Sequence, residues 1–126
     1  MGIRILIADD EANIRKVLQK TLEREGHDVV AVRDGQEALE VIQHRDTEDE
    51  AIGVVVSDLR MPRLDGMGLL IKLREIAPDI PVIIITAHGT VDTAVTALKQ
   101  GAFDYVTKPF DQVELLRVIR KAAASR

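Results

Sequence analysis

The chain contains no cysteine among its 126 residues. That excludes a disulfide framework and thiolate metal sites, and it fits a reducing cytoplasm. No apolar run approaches the roughly 20 residues that a membrane-spanning helix needs. The first apolar run, Ile3 to Ala8, is too short for a signal peptide and ends at Asp9-Asp10. Leu6 stands where an N-myristoylation signal has Ser or Thr, so that signal is excluded too. No G-x-x-x-x-G-K-[ST] or G-x-G-x-x-G run follows any predicted strand. A glycine cradle for nucleotide phosphates is therefore disfavoured. Excess positive charge is also lacking. The net charge is -4, which gives no bulk attraction to nucleic acid or to an anionic membrane.

What is present is a chain with 46% hydrophobic and 30% charged residues, the balance of a soluble globular domain. The length suits a single domain over residues 1–126. Such a domain buries roughly two-thirds of its unfolded-chain surface. There are no internal repeats.

Five short apolar runs alternate with five helical patterns. Ile3 to Ala8 reads as a buried strand, followed by Ile14, Val17, Leu18 and Leu22 at helical spacing and a stop at Gly26. Asp28 to Val32 is the second strand, and Gly35 begins a helix with Ala38, Leu39 and Ile42 inward. The charged run from Arg45 to Glu50 is a short loop or frayed helix end. The third strand, Val54-Val55-Val56-Ser57, ends at Asp58, and Gly66 opens a helix with Leu69, Leu70, Leu73 and Ile76 on one face. Pro81 to Thr86 is the fourth strand, and Val91, Ala94, Val95 and Leu98 mark the fourth helix. Phe103 to Thr107 is the fifth strand, and Asp111 caps a last helix carrying Leu115, Leu116 and Ile119. Alternation of this kind predicts right-handed crossovers and a doubly wound (βα)5 α/β fold. The expected parallel sheet is flavodoxin-like, with strand order 2-1-3-4-5.

That order brings Asp9, Asp10 and Asp58 to one carboxyl edge, where ligands bind in open parallel sheets. Thr86 and Lys108 end strands 4 and 5 at the same edge. Three carboxylates against one ammonium call for a divalent cation, and hard oxygen ligands favour magnesium. Asp58 is then placed to be a nucleophile that accepts a phosphoryl group. Taken singly, each residue has a plainer reading. Asp9-Asp10 could cap the first helix, Asp58 could be a turn residue and Thr86 a cap. Lys108 could be a solvated loop lysine, and Tyr105 half-buried packing. Their conjunction at one edge favours the chemical reading.

The set Asp9-Asp10, Asp58 with Met61-Pro62 and Asp65-Gly66, Thr86-Ala87 and Lys108-Pro109 resembles the receiver domain of bacterial two-component response regulators, whose fold is CheY-like. Thr86-Ala87-His88-Gly89 and the run from Gly101 to Phe110 further resemble the NtrC-like, sigma-54-dependent activator class. The resemblance implies phosphorylation of Asp58 by a phosphohistidine on a sensor histidine kinase. It also implies magnesium (Mg2+) held by Asp10, Asp58 and the Arg60 carbonyl, with Asp9 holding the metal through water. Lys108 and Thr86 would contact the phosphoryl oxygens, and the Lys108-Pro109 bond would be cis. Tyr105 would swing inward as Thr86 moves, while Arg60 and His88 would tune hydrolysis.

Thr86 and Lys108 are expected to gain their partners only on phosphorylation, which would bias the fourth helix, fifth strand and fifth helix. That face is also the expected homodimer surface. The implied protein is a cytoplasmic signalling switch that catalyses only its own phosphoryl transfer and dephosphorylation. Its implied partners are the kinase and, in a longer protein, ATPase and DNA-binding domains, with no membrane contact and no direct nucleic-acid contact by this domain. One departure stands out: Ala51-Ile52-Gly53 replaces the Pro-Asp pair that often leads into the third strand. The chain ends after the fifth helix with no output domain, as expected for an excised receiver or a single-domain protein.

Besides a nucleotide- or flavin-binding domain of the same fold, which lacks its glycine motif here, three rival readings fit the residues less well. A haloacid-dehalogenase-type phosphohydrolase needs a second Asp two residues after the nucleophile, and Arg60 stands there. A scaffold that keeps the fold without being phosphorylated would not need the intact acidic set, Thr86 and Lys108. Arg117, Arg120, Lys121 and Arg126 could touch DNA but better suit the solvated face of the last helix.

Overall fold

The computed structural model describes residues 2–44, 51–87 and 89–125. The run from Arg45 to Glu50 and the residues His88 and Arg126 lie outside the described residues, and with them three points raised above.

The ten elements run β1 (Arg4–Ala8), α1 (Ala12–Arg24), β2 (Asp28–Val32), α2 (Gly35–Gln43), β3 (Val54–Ser57), α3 (Gly66–Ile76), β4 (Val82–Thr86), α4 (Val91–Lys99), β5 (Asp104–Thr107) and α5 (Gln112–Ala124). The sheet is five-stranded and its order is β2-β1-β3-β4-β5, as the alternation predicted. All four pairings are parallel. Expected and observed boundaries differ by one residue at the starts of β1, β4 and β5.

Each central strand is buried on both faces, which is why its sequence is continuously apolar. Alternate residues feed two cores. Leu6, Val55 and Ile84 face α2 and α3 through Leu39, Leu69 and Leu73. Ile5, Val54 and Ile83 face α1 and α5 through Leu18, Leu22 and Ile119. Register then decides what meets at the carboxyl edge. Ala8 pairs with Ser57 and Thr86 with Thr107, so the residues that follow lie side by side. The Asp58 N–H continues the ladder to the Ala8 carbonyl at 2.8 Å, and the Lys108 N–H to the Thr86 carbonyl at 3.0 Å.

In three helices apolar residues read at helical spacing stand in solvent, Val17 of α1 among them. Ile76 is exposed at the last turn of α3 instead of sharing the buried face of Leu69, Leu70 and Leu73. In α4 only Ala97 is fully buried, and Val91, Val95 and Leu98 face solvent. The helix is nonetheless well started. The Thr90 hydroxyl accepts the Thr93 N–H at 3.1 Å, and the Thr93 hydroxyl accepts the Thr90 N–H at 2.8 Å, a reciprocal capping box. The segment Ala51-Ile52-Gly53 lies at the opposite end of β3 from Asp58, with Ile52 buried and the Gly53 N–H bonded to the Arg4 carbonyl at 2.7 Å.

Candidate functional site

Asp9 and Asp58 leave the sheet just after the last paired residues of β1 and β3, and both are buried. Asp10 beside them is exposed. One carboxylate oxygen from each of the three lies within 4.8 Å of the others. Asp9 does not cap α1. The N-cap is Glu11, which makes no side-chain cap bond, while the Asp9 carboxylate accepts the Glu11 N–H at 2.9 Å. The plain capping reading of the acidic pair is thus not what the structure shows.

Lys108, just after β5, bridges Asp9 and Asp58. Its ammonium donates to Asp9 Oδ2 at 2.8 Å and to Asp58 Oδ2 at 2.9 Å, with Glu11 a looser neighbour at 3.9 Å. The lysine side chain is 7% exposed, so it is no solvated loop residue. The bond from Lys108 to Pro109 is cis, as the resemblance implied. The other Asp58 oxygen accepts the Leu59 N–H at 2.6 Å and, at 3.4 Å, the Arg60 N–H. Thr86, fully buried at the end of β4, lies at the same edge, and its hydroxyl helps to lower the Asp58 carboxyl.

Burial pushes both carboxyl groups upward, but the balance differs. For Asp58, the Lys108 ammonium, the Thr86 hydroxyl and the Leu59 N–H outweigh burial and hold the carboxyl below the ordinary range. For Asp9, burial prevails over Lys108 and the Glu11 N–H, and the neighbouring Asp58 charge adds to it, so Asp9 is raised. Burial lowers Lys108, yet its two carboxylate partners more than compensate and raise it. Asp58 is therefore an ionised carboxylate near neutrality, and the site as a whole carries one ammonium against three acidic groups.

This geometry corrects one expectation. Lys108 does not wait for a phosphoryl group to find partners, because it already bonds Asp9 and Asp58. The reason is general: a buried hydroxyl or ammonium without a partner is costly, so the fold supplies one. Tyr105 is half-buried and its hydroxyl lies 3.1 Å from the Thr93 hydroxyl. Its ring tip occupies the place that a Cβ at Gly89 would need. Arg60 is exposed in the loop after β3.

Sequence reasoning missed the support beneath this loop. Arg63 has a left-handed backbone with φ of 66°, and its guanidinium bonds Asp34 across 29 residues. Asp34-Gly35 does announce a helix start, and Asp34 indeed accepts the Glu37 N–H at 2.9 Å. Nothing local announces the arginine that joins it. Gly66 has a local reason as well, since a Cβ there would run into the Asp58 carbonyl.

No helix among the described residues is long and apolar enough to cross a membrane.

Residues 5–120 match the family model described as response regulator receiver domain. Among curated proteins, the chain is 42% identical over 123 residues to the C4-dicarboxylate transport transcriptional regulatory protein DctD of Pseudomonas aeruginosa, covering 98% of this chain and 26% of that protein. It is 41% identical over 118 residues to the DNA-binding transcriptional regulator NtrC of Escherichia coli strain K12, covering 94% of this chain and 24% of that one. The chain thus spans about a quarter of the length of these relatives. Among solved structures, a response regulator receiver domain protein from Clostridium thermocellum superposes with a TM-score of 0.89 at 35% identity, covering 98% of this chain and 95% of that one. NtrX from Brucella abortus gives a TM-score of 0.89 at 35% identity over 99% of this chain and 28% of that chain. With the parallel sheet and its acidic edge, these likenesses establish that the chain belongs to the response regulator receiver domain family and is of its NtrC-like class.

Proposed function

We propose that Asp58 accepts a phosphoryl group from a phosphohistidine on a sensor histidine kinase, and that this modification sets the state of the α4–β5–α5 face. The observation that carries the reading is the convergence of Asp9, Asp10 and Asp58 within 4.8 Å, with Lys108 donating to two of them.

The donor set fits magnesium. All three groups are hard carboxylate oxygens, and one ammonium cannot balance them. Asp9, Asp10 and Asp58 would hold the ion, with the Arg60 carbonyl as a further oxygen ligand. When bound, the cation neutralises the excess charge that would otherwise repel an incoming phosphoryl group. The chain's own residues do the rest. Asp58 is kept ionised by Lys108 and Thr86, so one of its oxygens is ready to attack phosphorus. As the new O–P bond forms, the P–N bond to the donor imidazole breaks, and the imidazole leaves and takes up a proton. Lys108 and Thr86 already flank the carboxylate and are poised to bond the new oxygens, which is stabilisation by prior positioning.

The product exchanges a carboxylate of charge -1 for an acyl phosphate of about -2 with three acceptor oxygens. The switch is then an exchange of partners. Lys108 turns from Asp9 and Asp58 toward phosphate, and Thr86 turns toward the same group. Tyr105 follows, breaking its bond to Thr93 at the start of α4. A ligand shifts an equilibrium only through such differential contacts. The reading places the protein in the cytoplasm, as a switch that transfers and hydrolyses only its own phosphoryl group. Its output would be ATPase and DNA-binding domains like those of the longer NtrC-like regulators, with dimerisation through the α4–β5–α5 face.

The test is intact mass after incubation with acetyl phosphate and magnesium. One phosphoryl group should add to the parent chain, none to an Asp58→Asn variant, and none to the parent when the metal is chelated. Equal incorporation by Asp58→Asn overturns the assignment.

A further inference from the structure

We propose that Arg63 and Asp34 are positioning residues for the phosphoacceptor loop, and that this bridge sets how tightly the acidic site holds its cation. The inference rests on the metal-dependent reading above.

The loop from Leu59 to Asp65 carries Arg60 between β3 and α3. It is tied at its ends by the Leu59 N–H on Asp58 and by the Gly66 N–H on the Leu59 carbonyl at 2.9 Å. Its middle has a third tie that comes from another part of the chain. Arg63 Nε donates to Asp34 Oδ2 at 3.0 Å, and Arg63 Nη2 donates to Asp34 Oδ1 at 3.2 Å. The Asp34 side chain is 6% exposed, while that of Arg63 is 54% exposed. One residue on, the Gly35 N–H donates to the Leu64 carbonyl at 2.9 Å, and a Cβ at position 35 would run into that carbonyl. The start of α2 is thus moulded to the loop.

Two features argue for more than a surface ion pair. Arg63 adopts a left-handed backbone, which non-glycine residues avoid because Cβ crowds the following carbonyl. A planar fork held on both oxygens of a buried carboxylate fixes that backbone as a single bond could not. The bridge also faces the site. Asp10, Arg33, Asp34, Pro62 and Arg63 line one groove of about 450 Å³, so the clamp and an exposed carboxylate of the acidic cluster share a wall.

The sign of the effect separates positioning from charge. Removing Arg63 deletes a positive charge beside a cation site and frees the Asp34 carboxylate. Electrostatics alone then predicts tighter magnesium binding. Loss of positioning predicts weaker binding, because the loop that presents the Asp58 carboxylate and the Arg60 carbonyl is no longer held.

The experiment measures the thermal midpoint of the full chain against magnesium concentration, without phosphodonor, for the parent, Arg63→Gly, Arg63→Lys and Asp34→Asn. Glycine relieves the left-handed backbone, so a change in that variant reflects the lost bridge. We expect the magnesium concentration for half the shift to rise about tenfold in Arg63→Gly, in the range seen when groups supporting metal ligands are removed. Arg63→Lys should recover part of that loss, and Asp34→Asn should match Arg63→Gly in direction. An unchanged or lower half-point in Arg63→Gly overturns the proposal, whatever happens to the metal-free midpoint. A parent chain that shows no magnesium-dependent shift overturns the metal reading itself, and this inference with it.

Discussion

Helices α3 and α4 leave neighbouring strands on the same side of the sheet, yet they are anchored very differently. Leu69, Leu70 and Leu73 of α3 are fully buried, and its N-cap, Asp65, accepts the Gly68 N–H at 2.8 Å. In α4 a single alanine, Ala97, is fully buried, and Val91, Val95 and Leu98 stand in solvent at 79%, 44% and 49% exposure. Packing of an apolar face, more than propensity, stabilises helices in proteins. α3 is therefore part of the scaffold that holds Asp58, whereas α4 depends on its first turn: the Thr90–Thr93 box and the Tyr105 hydroxyl. On the proposed reading, the loop to α3 adjoins the phosphoacceptor and stays fixed. On the same reading, the helix after Thr86 follows the signal and moves.

This contrast can be broken or sharpened by experiment. Leu73→Ala in α3 should destabilise the domain by about 2–5 kcal/mol in a urea titration, since it leaves a cavity in a packed core. A smaller loss should come from acid on the anchored side. Burial pushes the Asp34 carboxyl up, but the Glu37 N–H and the Arg63 guanidinium outweigh it and hold it below the ordinary range. Its contribution to stability is thus complete above the unfolded carboxylate value of about 3.9 and is lost as pH falls through the lower folded value. Stability measured against pH should steepen in that window, and Asp34→Asn should remove that part of the slope. Thr90→Ala should cost about 1 kcal/mol. The loss should appear as faster amide exchange in α4, with α3 protection unchanged. Val95→Ala should change global stability by less than about 0.5 kcal/mol, as expected for an exposed position. If Val95→Ala costs as much as Leu73→Ala, the distinction between the two helices is wrong.

Much of the architecture was legible from periodicity. Continuous apolar runs marked β1, β3 and β4 because both faces of a central parallel strand are covered. Gly35, Gly66 and the capping residue Asp111 marked helix starts because start signals are local, whereas the Asp65 cap emerged only in the structure. The acidic residues, Thr86 and Lys108 were legible as a set because each ends a strand, and a doubly wound sheet brings strand ends together. Facing was less legible. Ile76 and the valines of α4 follow the same spacing as buried residues, yet whether anything covers them depends on neighbours far away in the chain. The bridge between Asp34 and Arg63 was invisible for the same reason.

The residues alone therefore determined the alternation of elements, the order of the strands and the kinds of groups gathered at the carboxyl edge. Those follow from short-range rules of period, capping and crossover. Only the tertiary structure decided which oxygen each donor takes. Lys108 joins Asp9 across 99 residues and Asp58 across 50. Partner choice in a buried site depends on register and on the direction of each side chain, and these exist only once the whole sheet has closed around them.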